Sequence, residues 1–161
     1  MVAFNRRLIF IDNIELLRKS FKIAKSYYNF EILAICIMQD HIHCILSFNN
    51  PDEMPQIIRT IKQNFTKLIS DEYYLSDLPL SMKKRNEKGI WQRRYYDHII
   101  RNENDLLKHI DYIHFNSMKH YNIIPKDWKY SSFNKFVKSN YYDENWCNFG
   151  DINGISEMEL E

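Results

Sequence analysis

The sequence predicts an α+β fold in which helices cover one face of an antiparallel sheet. Two adjacent apolar runs, 31–38 and 41–48, are separated only by Gln39 and Asp40, a pattern typical of a β-hairpin. Apolar residues at helical spacing lie on both sides of this hairpin. The 161 residues include only three glycines and four prolines, so long elements with few breaks are expected.

The first half of the chain predicts a short apolar stretch and a helix before the hairpin. Residues 2–10 hold candidate strand residues. Asp12 followed by Glu15 resembles a helix capping box. Apolar residues then recur at helical spacing and predict a helix over 13–28: Ile14, Leu17, Phe21 and Ala24.

The second half predicts two more helices, with a loop and a strand between them. Asn50, Pro51 and Asp52 open the next helix, which carries the apolar stripe Ile58, Ile61, Phe65 and Leu68. Residues 76–91 are polar and turn-like and indicate a mobile basic loop. Residues 91–101 can form a strand, and Asn102 with Asp105 predicts a helix that ends near residue 121. The order (β)αββαβα is that of a ferredoxin-like or RRM-like sandwich.

The composition indicates one soluble domain over residues 1–161. No apolar run approaches the roughly 20 residues needed to cross a bilayer. The three cysteines form no CxxC pair, which favours a reducing cytoplasm. The net charge is +1, but residues 143–161 carry six acids and no Lys or Arg. The rest of the chain therefore carries all 22 basic residues against 15 of the 21 acids, and nucleic-acid binding remains open.

His41-Ile42-His43 is the sharpest local pattern. Side chains two positions apart on a strand point to the same face, so both imidazoles are able to reach one divalent ion. From the spacing alone, a pair of structural histidines stays open as the alternative.

The last predicted helix offers a polar stripe beside an apolar one. At about 100° per residue, the polar stripe holds Asp105, His109, Tyr112, Asn116 and Lys119. The neighbouring stripe can pack on the sheet and holds Leu106, Ile110, Ile113 and Ser117. Tyr112 and Asn116 lie one turn apart. Taken alone, this pair is equally compatible with an ordinary surface tyrosine.

Three segments resemble ordered blocks of a known family. MQDHIHCILSF resembles the "MPNHxHxLL" block of the IS200-like transposases. WQRRYYDHIIRNENDLLKHIDYIHFNSMKHYNI resembles their "WQ…YYDHxIR…DL…H…YIHxNPVKH" block, and DWKYSSF resembles the "DWxxSSF" segment that follows it. The resemblance covers most of the chain and is closest to the REP-associated tyrosine transposases, which are single-tyrosine nucleases of the HUH type.

The resemblance implies a site and a reaction. His41 and His43 would hold Mg²⁺ or Mn²⁺ together with Asn116, and Tyr112 would attack single-stranded DNA beside a hairpin. The products would be a 5′-phosphotyrosine and a free 3′-hydroxyl. Gln39-Asp40 replaces the family's Pro-Asn, and Ser117-Met118 replaces its Pro-Val, but neither change removes a reactive group. Family members act as monomers or as homodimers.

Basic side chains are the candidate phosphate contacts, although each is equally compatible with a solvated surface charge. They are Arg59, Lys62, Lys67, Lys83, Lys84, Arg85, Arg93 and Arg94. Tyr95 is a weaker nucleophile candidate than Tyr112, because no amide follows it at i+4. The sequence assigns no role to His98.

Other functions are weighed against this one. A histidine-triad hydrolase needs a third histidine where Ile45 stands, and two-histidine phosphodiesterases need a second HxT or HxS motif. A catalytically inactive, RRM-like nucleic-acid-binding module is the remaining alternative.

Overall fold

The computed structural model describes residues 1–147, so most of the acidic tail predicted over 143–161 lies outside the described residues. The strands β1 (Phe30–Ile37) and β2 (Ile42–Phe48) form a small antiparallel sheet, which confirms the predicted hairpin. The helices are α1 (Ile14–Tyr27), α2 (Met54–Leu68), α3 (Leu80–Lys83), α4 (Glu103–Tyr121) and α5 (Phe133–Lys138). No helix among the described residues is both long and apolar enough to cross a membrane.

The described residues group into two compact units. The first contains Met1–Glu31, Gln39–His41 and Ser47–Tyr95. The second contains Ile32–Met38, Ile42–Leu46 and residues 96–147.

In the first unit, α1 packs against α2, and most of their predicted apolar stripes is buried, although Ile14 and Leu68 are only half-buried. Phe10, Phe65 and Trp91 meet beside them, with ring centres 4.8 to 5.7 Å apart. The helix predicted over 13–28 is confirmed, but the capping box is not formed. Its N-cap is Asn13, whose side chain donates to the carbonyl of Ile9 instead.

The strand predicted over 91–101 is wrong. Residues 2–4 lie between 39–41 and 90–92, joined by backbone bonds such as Ala3 N to Asp40 O (2.8 Å) and Gln92 N to Val2 O (2.9 Å). The N-terminal segment then turns away at Asn5, where φ is 54°. No strand is formed over residues 93–101 within the described part of the chain, and the strand expected within 2–10 is reduced to two bridges.

The segment predicted as a basic loop contains α3 and is held by hydrogen bonds to residues outside it. Leu75 N donates to Lys88 O, and the Arg7 guanidinium donates to the carbonyls of Tyr73 and Gly89. Gly89 has φ +70°, and a Cβ there would lie 2.9 Å from the side chain of Leu75. The closing turn of this segment therefore requires glycine.

In the second unit, α4 begins and ends with polar caps. The Asn102 side chain accepts from Asp105 N at 2.9 Å, and Asn122 closes the helix with φ 55°. The following segment, 128–132, runs along β1. Ile37 N donates to Tyr130 O, Ser132 N donates to Ile35 O, and Trp128 Nε1 donates to Ile37 O. The DWKYSSF motif thus covers an edge that would otherwise offer unpaired backbone groups.

Candidate functional site

Tyr112 is buried in the second unit, with 1% of its surface exposed. Its ring meets the His43 imidazole edge-on, with ring centres 5.6 Å apart. Lys119, two turns further along α4, donates from Nζ to the Tyr112 hydroxyl at 3.2 Å. The surface-tyrosine alternative is therefore wrong, and the hydroxyl lies beside a fixed positive charge.

Asn116 is also fully buried, and its amide orientation is set by chemistry. Nδ2 donates to the carbonyl of Tyr112 at 2.7 Å, and a carbonyl can only accept. Oδ1 consequently faces away from that carbonyl, and it has no hydrogen-bond partner among residues 1–147. A buried amide oxygen in this condition is suited to a ligand that accepts its lone pair, such as a metal ion.

His41 belongs to the first unit and is 3% exposed. Its Nδ1 lies 2.6 Å from Asp40 Oδ1, and Arg6 contacts the other carboxylate oxygen at 3.4 Å. A carboxylate on Nδ1 fixes the ring tautomer with the lone pair on Nε2, which is the usual arrangement behind a metal-binding histidine. Asp40, at one of the positions where the sequence departs from the family pattern, thus contacts a predicted ligand directly.

The donor set predicted for a metal is two imidazoles and one amide oxygen. Oxygen donors suit Mg²⁺ and Mn²⁺, whereas imidazole nitrogen suits the later transition metals better. The buried oxygen of Asn116 and the Asp40-oriented ring of His41 both fit a divalent cation.

A basic cleft of about 480 Å³ lies in the first unit, between α2 and residues 85–93. Four of the eight predicted phosphate contacts line it: Lys62, Lys67, Arg85 and Arg93. Lys88 also lines it and was not predicted. Lys83, Lys84, Arg59 and Arg94 are exposed but do not line the cleft.

The Lys62 ammonium group is held by three contacts in this cleft. It donates to the carbonyl of Gln92 at 2.8 Å and lies 5.6 Å from the ring centres of Trp91 and Tyr95. Burial lowers its pKa to about 8, although Glu87 acts in the opposite direction. Its charge is thus available to a phosphate at neutral pH and is lost in mild alkali.

Residues 1–116 match the family described as "Transposase IS200 like". The chain belongs to the IS200-like transposase family. A Haemophilus influenzae protein provisionally named a REP-associated tyrosine transposase is 40% identical over 137 residues, which cover 84% of this chain and 77% of that protein. The REP-associated tyrosine transposase of Escherichia coli K12 is 30% identical over 158 residues, which cover 96% of this chain and 85% of that protein.

A similar solved structure supports the assignment to this family. It is described as a REP-associated tyrosine transposase bound to a REP hairpin, and it superposes with a TM-score of 0.71 at 28% identity. The match covers 89% of this chain and 78% of that one.

Sequence reasoning missed a buried polar network in this IS200-like transposase. His114 contacts Ser132 Oγ through Nε2 (2.7 Å) and the Tyr142 hydroxyl through Nδ1 (3.1 Å). Tyr142 in turn donates to Asp111 at 2.7 Å. Burial lowers the pKa of His114 to about 4, so it is a neutral structural histidine. The sequence signal for this network was Ser132, the second serine of the DWKYSSF motif.

His98, to which the sequence assigned no role, contacts two residues of α4. Its Nε2 lies 2.9 Å from Asp105 Oδ2, and its ring stacks on His109 with ring centres 4.5 Å apart. Tyr95, the weaker nucleophile candidate, lies in the first unit with its hydroxyl 3.3 Å from Met54 Sδ.

Proposed function

We propose that this transposase cleaves and rejoins single-stranded DNA through a covalent bond to Tyr112, acting beside a hairpin of REP or transposon-end type. The observation that carries the proposal is the arrangement in the second unit. A buried tyrosine hydroxyl lies beside Lys119, its ring contacts His43, and Asn116 follows one helical turn later.

Tyr112 would act as the nucleophile. Its phenolic oxygen attacks the phosphorus, the bond from phosphorus to the 3′-oxygen breaks, and the DNA 5′-phosphate is left on tyrosine. The phenolic proton ends on the departing 3′-oxygen, directly or through solvent, which gives a free 3′-hydroxyl. Attack by another 3′-hydroxyl reverses these steps, so strand transfer needs no nucleotide cofactor.

Lys119 would make the phenol more reactive. Tyrosine normally loses its proton near pH 10, so a neutral-pH reaction must stabilise the phenolate. The Lys119 ammonium, 3.2 Å from the hydroxyl, supplies a positive charge where negative charge develops.

His41, His43 and Asn116 would hold a divalent cation, Mg²⁺ or Mn²⁺. When bound, such an ion neutralises the phosphate oxygens and orients the scissile bond. Asp40 would keep His41 in the ligating tautomer, and the bond from Asn116 Nδ2 to Tyr112 O would keep the amide oxygen of Asn116 available as a ligand.

The basic cleft would bind the DNA backbone. Five cationic side chains line this cleft, whose volume is about 480 Å³. Neutralisation of phosphate charge dominates the affinity of proteins for nucleic acids. Because the similar solved structure is bound to a REP hairpin, a hairpin is the substrate we propose here. The exposed cations outside the cleft would extend this contact: Arg59, Lys83, Lys84 and Arg94.

A ferredoxin-like arrangement would underlie this site. Within the first unit, residues 2–4 lie between 39–41 and 90–92, where the central strand of such a sandwich lies between two others. We include in the proposal that the whole chain acts as one nuclease domain.

The decisive experiment uses a hairpin oligonucleotide with a single-stranded flank and Mn²⁺, labelled at its 3′ end, because the fragment that carries the 5′-phosphate stays on the protein. We expect a protein–DNA adduct on a denaturing gel, absent with EDTA or with a fully double-stranded flank, and peptide mapping should place it on Tyr112. An adduct on Tyr95 or Tyr96 would overturn the choice of nucleophile. Binding without an adduct in any divalent metal would favour the inactive binding module.

A further inference from the structure

A second group of ligand-type side chains lies at the start of α4. His98, Asp105 and His109 each offer one metal-ligating atom, and these atoms all lie within 4.8 Å of one another. His98 Nε2 is 2.9 Å from Asp105 Oδ2, and His109 Nδ1 is 3.1 Å from Asp105 Oδ1. None of these residues has a role in the function proposed above.

The protonation of His109 follows from its backbone contact. Its Nδ1 lies 2.8 Å from the carbonyl oxygen of Asp105, which can only accept, so Nδ1 carries the proton. The lone pair of the neutral ring is therefore on Nε2. That atom is buried, and no hydrogen-bond donor within residues 1–147 reaches it. A histidine held by a carbonyl at Nδ1 with its lone pair on Nε2 is prepared for a metal ion.

Asp105 is prepared as an anionic ligand. The hydrogen bond from His98 lowers the pKa of Asp105, and the backbone N–H of Arg101 acts in the same direction. The carboxylate is therefore ionised at neutral pH, and a cation between the two imidazoles would meet a full negative charge.

We propose that His98, Asp105 and His109 bind one transition-metal ion, of the Zn²⁺ class, with a ligand set that shares no residue with the site at Tyr112. Two imidazoles and one carboxylate are donors that Zn²⁺ prefers, and three protein ligands leave one position for water. Ligands of a tetrahedral ion with bonds of about 2.1 Å are roughly 3.4 Å apart. The contact between His98 Nε2 and Asp105 Oδ2, at 2.9 Å, already approaches this spacing, and rotations of these two partly exposed side chains would bring both atoms toward Nε2 of His109.

The ion would fasten residues 98–101 to α4. His98 precedes the helix, whereas Asp105 and His109 belong to its first two turns, so one ion would cross-link the incoming chain to the helix that carries Tyr112. Without the ion, this link rests on the hydrogen bonds from His98 and Arg101 to Asp105.

The test is zinc titration of the full-length His41→Ala/His43→Ala protein by calorimetry, because this background removes two proposed ligands of the other site. We expect one Zn²⁺ to bind. Addition of His98→Gln or His109→Gln should weaken binding by more than about tenfold, whereas His120→Gln, a change at another histidine of α4, should not. Thermal unfolding of each protein, with and without Zn²⁺, reports whether it is folded and whether zinc raises its Tm.

Two results would overturn the inference. One is that the His41→Ala/His43→Ala protein binds no zinc. The other is that zinc binding and the zinc-induced rise in Tm survive both His98→Gln and His109→Gln. If one of these variants does not fold, the other provides the same comparison. Because His41 and His43 are absent throughout, neither result depends on whether Tyr112 forms an adduct.

Discussion

At the scale of single residues, Tyr112 combines a buried ring with a charged partner at its hydroxyl. Its ring is almost completely buried, yet its hydroxyl contacts a lysine ammonium. Burial holds the oxygen in one position, and the cation supplies the electrostatic stabilisation that a phenolate needs. The contributions of the hydroxyl, the amide and the ammonium to cleavage can be separated by substituting Tyr112, Asn116 and Lys119 one at a time.

Tyr112→Phe removes the hydroxyl and keeps the ring. We expect the fold and hairpin binding to be retained, because the ring contact with His43 does not involve the oxygen. The covalent adduct and the free 3′-hydroxyl product should both fall to background. Denaturing gels measure the adduct, and a gel-shift assay of the same samples measures binding. Adduct formation at the wild-type rate would remove Tyr112 from the mechanism.

Asn116→Ala removes the buried amide oxygen and leaves the nucleophile in place. We expect cleavage to weaken and to be partly restored by raised Mn²⁺, because a lost ligand lowers the affinity for the ion. Tyr112→Phe is the matched control, since no metal concentration should restore it. Cleavage rates measured over a Mn²⁺ series test the difference, and identical behaviour of the two variants would contradict the ligand role.

Lys119→Met removes the ammonium beside the Tyr112 hydroxyl. The rate of adduct formation should fall by about 100-fold, because one preorganised charge at the reacting oxygen is lost. Lys119→Arg should retain much more activity than Lys119→Met, since it keeps the charge. Single-turnover kinetics at saturating DNA separate this effect from binding. Equal rates in the wild type and Lys119→Met would show that the contact is only structural.

At the scale of elements, α4 differs from the two-faced helix predicted for it. Between Ile110 and Ser117 its residues are buried on nearly every side, including Tyr112 and Asn116 of the polar stripe. The segment 128–132 pairs with β1, and α5 and Tyr142 cover the His114 side of the helix. In this buried stretch, His114 is hydrogen-bonded to specific protein partners rather than to water, whereas Asn116 Oδ1 has no such partner among residues 1–147.

Tyr142→Phe tests how much the hydrogen bonds around His114 contribute to stability. It removes the donor to Asp111 and the partner of His114, and both groups remain buried or half-buried. We expect a loss of about 1–3 kcal/mol in the free energy of unfolding, measured by urea denaturation. Tyr141→Phe is the control at an exposed ring and should change stability by less than about 0.5 kcal/mol. A stability unchanged by Tyr142→Phe would mean that the network contributes nothing.

At the scale of the whole molecule, the net charge of +1 conceals an uneven distribution. Five cationic side chains line the cleft of the first unit, whereas the charged side chains of residues 143–161 are all acidic. DNA affinity should therefore depend on a local patch rather than on the net charge, and should fall steeply with salt.

Lys62→Met tests the cleft through pH. Burial lowers the pKa of Lys62 to about 8, so the wild-type residue is charged at pH 7 and mostly neutral at pH 9. We expect Lys62→Met to weaken hairpin binding at pH 7, and the difference from wild type to shrink by pH 9, where both side chains are uncharged. Fluorescence anisotropy at constant ionic strength measures both affinities. A difference that stays constant from pH 7 to 9 would contradict this role of Lys62.

Local patterns in the sequence were enough to predict the longer elements. α1, α2, α4 and the hairpin follow from apolar periodicity, and the Asn102 cap from its own spacing, because each depends on neighbours within a few residues. The ordered motifs also determined the family, since several blocks at the right separation are specific together.

Only the tertiary structure decided which local options were used. Residues 93–101 have strand-forming composition, but a strand needs a partner, and the N-terminal segment turns away at Asn5. Periodicity likewise placed Tyr112 and Asn116 on a polar face, whereas both are buried, and the Tyr112 ring meets His43 of β2. The grouping of His98 with Asp105 and His109 required the fold of the chain before α4. Sequence thus determined the chemistry available, and packing between distant segments determined which groups meet.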